Sequence, residues 1–303
     1  MLPAEPVEYQ QFWRGPLIKP WRPIVAVVVG AIAFLVVAMV VSAAAIGIEI
    51  ATGALTPDEA FELLEEARVS PGLVLGNSFA IALMLPLTLL VAALVKQPPR
   101  FLHSVLGRFR WKWFFTCVAV SLVVLGLNVA SELLLAGDQL DLQIHPYTWW
   151  LLIGLMLVTP FQAAAEEYML RGVVFRTVGS WFQQPVVSMA VGTVVNSVIF
   201  MFMHGASDPW LNLVYFVLGA LLSWITWRTG GLEAAAAFHI VNNMVAFALV
   251  PFQDVADLFD RSAGAAGPIV LIQLVASAVI VALLDVLARR RNLQRVGPMT
   301  LGR

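Results

Sequence analysis

The sequence predicts an all-α membrane protein, a polytopic bundle of about eight transmembrane helices. Of its 303 residues, 60% are hydrophobic and only 12% are charged, whereas soluble domains hold roughly 45–50% apolar and about 25% charged residues. The mean hydropathy is +0.86, and several apolar runs reach about twenty residues, the length that crosses a bilayer. These runs are continuously apolar rather than alternating, which favours helices over the strands of a transmembrane barrel.

Eight candidate spans follow one another along the chain. They cover residues 24–48, 73–95, 114–136, 147–170, 186–204, 210–227, 232–252 and 268–288. The first span is longer than the apolar core of a signal peptide, about 7–15 residues, so we expect it to remain as an anchor. In the connection that follows it, Thr56, Pro57 and Glu59 form a capping-box pattern that predicts a short surface helix.

These spans divide the chain into four segments. Residues 1–23 form a predicted cytoplasmic tail, and residues 24–136 hold the N-terminal transmembrane helices. Residues 147–252 form a core that contains most of the polar side chains within spans, and residues 268–303 contain the last helix and a basic cytoplasmic tail.

Charge predicts the orientation of the bundle. Lysine and arginine concentrate in cytoplasmic loops, and one orientation places all but two of the 18 basic residues, Arg68 and Arg261, on one side. Both termini are therefore expected in the cytoplasm and the protein in the cell membrane. A net charge of −1 gives no basic footprint for nucleic acid. A single cysteine, Cys117, excludes an intrachain disulfide.

Ionisable side chains inside a bilayer are costly, so each one in a predicted span is a candidate for function. The candidates, with the aromatic and amide residues near them, lie on three spans: Glu166, Glu167 and Arg171 at the end of the fourth, Phe200 and His204 at the end of the fifth, and His239, Asn242 and Asn243 in the seventh.

Helix geometry predicts different roles for the two glutamates. Side chains of adjacent helical residues point about 100° apart, so Glu166 and Glu167 cannot both face one substrate. Glu167 and Arg171 are four residues apart, a spacing that allows an ion pair. Glu166 is then left to face a different element.

The other two spans repeat the four-residue spacing, between Phe200 and His204 and between His239 and Asn243. Taken singly, each group has a structural alternative: a buried ion pair, a packing histidine, or amides that join helices. Taken together, complementary groups from three helices favour hydrolysis. A glutamate near a histidine can activate water, an asparagine amide can donate to an oxyanion, and two histidines with a glutamate can hold a divalent ion.

These three segments resemble the CPBP family of intramembrane proteases, the CAAX-processing and bacteriocin-processing membrane endopeptidases. The matching patterns are Glu166-Glu167-x-x-x-Arg171, Phe200-x-x-x-His204 and His239-x-x-x-Asn243, in that order, within residues 147–252. The resemblance implies an all-helical membrane fold and hydrolysis of peptide bonds within or beside the bilayer.

Site roles follow from the resemblance by position. It implies that Glu166 and His204 activate the attacking water, and that His239 and Asn243 stabilise the oxyanion. The expected supporting residues are Glu167, Arg171, Phe200 and Asn242. If a metal takes part, the expected ion is zinc, held by Glu166, His204 and His239.

The expected partners are a peptide or protein substrate at the membrane, lipidated or not, and the lipid bilayer, but no nucleic acid. The sequence leaves two other classes open: a non-catalytic immunity or scaffold protein, and a transporter. Against a transporter, the halves of the chain show no repeat and the spans lack paired glycine or proline breaks.

The predicted site residues do not all lie at the same depth in the bilayer. We expect the site in the cytoplasmic half of the bilayer, because His239 lies roughly 12 Å from the cytoplasmic end of its span at about 1.5 Å per residue. His204, counted from residue 186, instead falls near the outer surface. Either the fifth span begins deeper, or residues 205–209 enter a water-filled cavity.

Overall fold

The computed structural model describes residues 2–15, 18–66, 68–136, 142–255 and 261–297, and it confirms the predicted helical bundle. The α-helices are α1 (Trp21–Ala51), α2 (Pro57–Glu65), α3 (Pro71–Ala93), α4 (Trp111–Ala136), α5 (Thr148–Glu167), α6 (Phe175–Gly179), α7 (Pro185–Met203), α8 (Pro209–Thr229), α9 (Glu233–Leu249) and α10 (Val270–Arg290). Within the described ranges, eight helical stretches are long and apolar enough to cross a membrane. The end of the predicted basic tail, residues 298–303, lies outside the described residues.

The fourth span is longer than predicted. A π-helical segment, Tyr168–Val174, joins α5 to α6, so that the helical stretch Thr148–Gly179 is continuous over 32 residues. Wide π turns inside α-helices often mark functional sites. This one begins directly after Glu166 and Glu167.

The surface helix between the first two spans forms as predicted. The side chain of Thr56 accepts a hydrogen bond from the backbone N–H of Glu59, and the Glu59 carboxylate accepts one from the backbone N–H of Thr56 at 2.7 Å. This reciprocal capping satisfies two donors that the start of α2 leaves without helical partners.

The first and the last described segments of the chain meet at one end of the bundle. Strand β1 (Val7–Glu8) pairs antiparallel with β2 (Val296–Gly297). Together with residues 96–110, the terminal segments 2–15 and 291–297 form a layer that we call the terminal cap. Both described termini therefore lie on the same side, as an even number of spans requires.

The terminal cap is packed against the bundle, although the N-terminal segment was predicted only as a tail. Tyr9, Phe12 and Trp13 are buried, and the hydroxyl of Tyr9 donates to the carbonyl of Leu102 at 2.6 Å. The guanidinium of Arg176 lies 3.9 Å from the centroid of the Tyr9 ring. The aromatic side chains of the tail thus cover a buried arginine that would otherwise be costly.

Helix α7 fixes the position of His204 relative to the terminal cap. Its first residue, Pro185, accepts a hydrogen bond from Gln10 of the cap through its carbonyl. The 19 residues of α7 extend about 28 Å at the helical rise. His204 follows α7 directly and therefore lies near the opposite end. Helix α7 begins one residue before the predicted start of the span.

Candidate active site

The predicted site residues of three helices meet inside the bundle. Glu166 and Glu167 are the last two residues of α5, His239 lies in the first half of α9, and Phe200 lies near the end of α7. All four side chains are buried. Three elements that are distant in sequence thus converge on one point, as the motifs predict.

Glu167 is the centre of this cluster. Its Oε1 accepts from Nη1 of Arg171 at 2.9 Å, the i,i+4 pair that the spacing predicts. The same oxygen lies 2.7 Å from Nδ1 of His239. Arg171 also donates through Nη2 to the carbonyl of Gly219 at 3.0 Å. Glu167 therefore holds two partners, of which the sequence predicted only the arginine.

His239 joins the two glutamates. With Nδ1–H donating to the Glu167 carboxylate, the imidazole ring is fixed in orientation and Nε2 points elsewhere. Nε2 lies 3.7 Å from Oε2 of Glu166. This gap exceeds the length of a direct hydrogen bond, about 2.7–3.2 Å. Glu166 and His239 therefore face each other without a direct hydrogen bond between them.

The side chains of the cluster carry an unbalanced charge when they are all ionised. Glu166, Glu167 and Arg171 together carry one net negative charge when all three are ionised, and an uncompensated charge in a buried site is costly. One additional proton makes the cluster neutral. His239 is the side chain that faces both carboxylates, Glu167 at 2.7 Å and Glu166 at 3.7 Å.

The second oxygen of Glu166 is held by a residue that sequence reasoning missed. Gln162, four residues earlier on α5, donates from Nε2 to Oε1 of Glu166. The Oε1 of Gln162 accepts from Nδ2 of Asn243 at 3.2 Å, and Oδ1 of Asn243 accepts from Nδ2 of Asn242 at 3.2 Å. A glutamine in an apolar run, one turn from Glu166, was the signal available in the sequence.

His204 lies at the edge of the cluster. Its Nδ1 is 2.7 Å from the carbonyl oxygen of Phe200, and its ring stacks on Tyr215 with centroids 3.8 Å apart. Burial lowers the pKa of His204 to about 4, so the imidazole is neutral at pH 7. Since Nδ1–H donates to the carbonyl, Nε2 carries the lone pair. Tyr215 is a second contact that the motifs did not predict.

Phe200 lies between the two histidines. Its ring centroid is 4.6 Å from that of His204 and 5.9 Å from that of His239, both in edge-to-face geometry. The guanidinium of Arg171 lies 5.1 Å from the same ring. Phe200 therefore spaces the imidazoles while it covers the buried cation.

The predicted metal ligands do not form a ready metal site. Among the described residues, no group of three histidine, cysteine, aspartate or glutamate side chains could hold a metal ion. One nitrogen of His239 is bonded to Glu167 and one nitrogen of His204 to the Phe200 carbonyl. We therefore derive no step through a metal.

Comparison with known proteins agrees with the motifs. Residues 146–245 match the family described as Type II CAAX prenyl endopeptidase Rce1-like, and this segment contains every predicted site residue. The uncharacterized protein YyaK of Bacillus subtilis (strain 168) is 24% identical over 209 residues, which cover 63% of this chain and 66% of that protein. No solved structure matches the chain. The segment that carries the buried glutamate–histidine cluster is thus similar to the Rce1-like type II CAAX prenyl endopeptidases.

Proposed function

We propose that the protein is a membrane endopeptidase that hydrolyses peptide bonds of membrane-associated substrates, CAAX-type proteins among them. One observation carries this proposal. Glu166 is buried, Gln162 holds one of its oxygens, and the other faces Nε2 of His239 across 3.7 Å. A fixed carboxylate opposite a fixed imidazole is suited to activate water and to stabilise the charge that results.

In the proposed reaction, Glu166 removes a proton from a water molecule, and the water oxygen attacks the scissile carbonyl carbon. The carbonyl π electrons move to oxygen, and His239, which enters the reaction as an imidazolium in this proposal, donates its Nε2 proton to this oxyanion. When the tetrahedral intermediate collapses, the C–N bond breaks, Glu166 transfers its proton to the leaving nitrogen, and one hydroxyl proton of the intermediate returns to Nε2 of His239, so that the product is a carboxylic acid and the site is restored. The neutral His204, with its lone pair on Nε2, assists Glu166 as a second acceptor for the water.

Glu167 and Arg171 act indirectly in this proposal. Glu167 holds Nδ1 of His239, which directs Nε2 toward the reacting atoms and stabilises the imidazolium. Arg171 balances the charge of Glu167 in the buried site. These two are positioning residues rather than catalytic ones.

The direct test is cleavage by purified protein in liposomes. The probe is a quenched fluorescent peptide ending in a farnesylated Cys-aliphatic-aliphatic-Met sequence, beside the same peptide without the farnesyl group. Cleavage by the wild-type protein and its loss in Glu166→Gln would support the proposal. A folded wild-type protein that cleaves neither peptide nor a set of membrane-anchored pro-peptides would contradict it and favour a non-catalytic immunity or scaffold role.

A chelator separates the two versions of the chemistry. We propose that Glu166 and the histidines act without a metal, so activity should persist after dialysis against a strong chelator. Loss of activity that zinc restores would instead assign a metal to Glu166, His204 and His239.

We also propose that the protein lies in the cell membrane and that both of its termini face the cytoplasm. Single cysteines at Ser262 and at Leu301, which lies outside the described residues, would be introduced in a background lacking Cys117. An impermeant thiol reagent should label the first from outside intact cells and the second only after lysis. Labelling of Leu301 from outside would overturn this orientation.

A further inference from the structure

Four amide side chains form a continuous series of hydrogen bonds that ends on Glu166. Gln273 of α10 donates to Oδ1 of Asn242 at 3.4 Å. Asn242 donates to Oδ1 of Asn243 at 3.2 Å, and Asn243 to Oε1 of Gln162 at 3.2 Å. Gln162 donates to Oε1 of Glu166. We call Gln273, Asn242, Asn243 and Gln162 the amide row.

Each amide of the row donates to the next one, and this leaves some of its N–H donors and carbonyl lone pairs without a hydrogen bond. A side-chain amide has two N–H donors and two carbonyl lone pairs. Asn242, Asn243 and Gln162 each spend one donor and one lone pair within the row. In the part of the chain that the structure describes, these side chains make no other hydrogen bond. Each of the three therefore keeps one donor and one acceptor.

The amide row is also partly accessible. Asn242, Asn243 and Gln273 are half-buried, and only Gln162 is buried. The row joins three helices, α5, α9 and α10, and its buried end lies at the carboxylate that we propose as the base. Its position thus provides a polar path from a partly exposed face of α9 and α10 to Glu166.

An extended peptide in the bilayer needs hydrogen-bond donors and acceptors for its backbone, and the amide row has both. A peptide bond can be attacked only where the substrate is unwound, and the backbone N–H and C=O groups of an unwound segment then lack their helical partners. Lipid cannot replace these partners, and each unsatisfied group costs several kcal/mol. Each backbone unit requires one acceptor and one donor, which is what each interior amide of the row retains.

We infer that the amide row binds the extended backbone of the peptide substrate and leads the scissile bond to Glu166. This inference rests on the proposed endopeptidase function and names a binding site for it. A row that served only to join helices would affect thermal stability and leave substrate binding unchanged. The two roles can therefore be separated by measuring KM.

The first measurement uses the wild-type protein and altered substrates. In a series of the quenched fluorescent peptides, one backbone amide near the scissile bond is replaced at a time by an ester, which removes one N–H donor. At least one replacement should lower kcat/KM about tenfold, the effect of losing one hydrogen bond. This series needs no variant, so it shows whether substrate N–H groups are bound near the scissile bond even if a substituted protein fails to fold.

The second measurement uses Gln273→Leu. We expect KM to rise about tenfold with kcat unchanged, and the most sensitive ester position to lose its effect in this variant. Ser277→Ala is the matched control, because it removes a buried hydroxyl one turn along α10 that bonds to the backbone carbonyl of Gln273 at 2.8 Å. Its KM should equal that of the wild type.

Failure of this inference can be distinguished from failure of the proposed function. If the wild-type protein cleaves the peptides but every ester is cleaved as fast as its amide and Gln273→Leu keeps the wild-type KM, the row is structural and this inference is wrong. If the wild-type protein cleaves no peptide at all, the endopeptidase proposal fails and this inference fails with it.

Discussion

Two buried glutamates of this protein each lie beside an arginine, but their surroundings differ. Glu233, at the start of α9, receives three hydrogen bonds from Arg110 of the terminal cap: from the backbone N–H at 2.9 Å, from Nε at 2.8 Å and from Nη2 at 2.6 Å. Glu167 receives one from Arg171 and one from His239, both on Oε1. Its Oε2 has no partner within the described residues.

The difference separates a structural ion pair from the cluster that we propose as the active site. Both oxygens of Glu233 are used, and Arg110 spends a further N–H on the carbonyl of Thr229 at 2.8 Å. Among the described residues, Arg110 is the only side chain that is hydrogen-bonded to Glu233. In the cluster of Glu167, by contrast, the arginine leaves room for an imidazole, and that imidazole faces a second carboxylate, Glu166, across 3.7 Å. We call an ion pair saturated when all of its carboxylate oxygens are hydrogen-bonded; such a pair holds elements together. An unsaturated cluster, in which an oxygen or an imidazole nitrogen remains unused, can move protons.

The largest effect is expected at the unsaturated cluster. Glu166→Gln keeps the shape of the side chain but removes the base, so kcat should fall by about 10³-fold. The thermal transition should stay near that of the wild type. Unfolding can be followed by the reaction of a thiol dye with Cys117, which is buried in the folded chain.

Breaking the saturated pair should mainly affect folding. Arg110→Met leaves the Glu233 carboxylate buried without its partner, which should destabilise the protein by about 3 kcal/mol. The yield of folded protein in detergent should fall, while kcat per folded molecule should remain within about twofold of wild type. A variant that folds normally but loses kcat would contradict the structural role of this pair.

A smaller catalytic effect is expected for Glu167→Gln. The amide still occupies the site but no longer stabilises an imidazolium at His239, so kcat should fall by about 10–100-fold. KM should change little, because Glu167 is fully buried behind the histidine. Equal losses in Glu167→Gln and Glu166→Gln would mean that the two carboxylates act as one unit.

The sequence predicts the spans and the ion pair of Glu167 with Arg171, but it does not predict the contact between Glu167 and His239. Hydropathy predicts the spans, and the four-residue spacing predicts the pair of Glu167 with Arg171, because both depend on local helix geometry. The contact of Glu167 with His239 depends on how α5 packs on α9, and no local spacing encodes it. The same holds for the burial of Tyr9 and Phe12, because these side chains become buried only when the N-terminal segment packs onto Arg176.

The smallest effect is expected in the terminal cap. Tyr9→Phe removes the hydroxyl that bonds to the carbonyl of Leu102 but keeps the ring over Arg176, so the loss of stability should be about 1 kcal/mol. Activity should be unchanged. The thermal transition of Cys117 exposure measures the first effect and peptide cleavage the second.

The most direct measurement compares the same isosteric change at two sites. Glu166→Gln and Glu233→Gln are each purified, and kcat and the thermal transition are measured side by side with the wild type. We expect a crossed result: Glu166→Gln loses activity and keeps its stability, and Glu233→Gln loses stability and keeps the activity of its folded fraction. Retained activity in Glu166→Gln would contradict the assignment of the buried glutamate–histidine cluster as the active site.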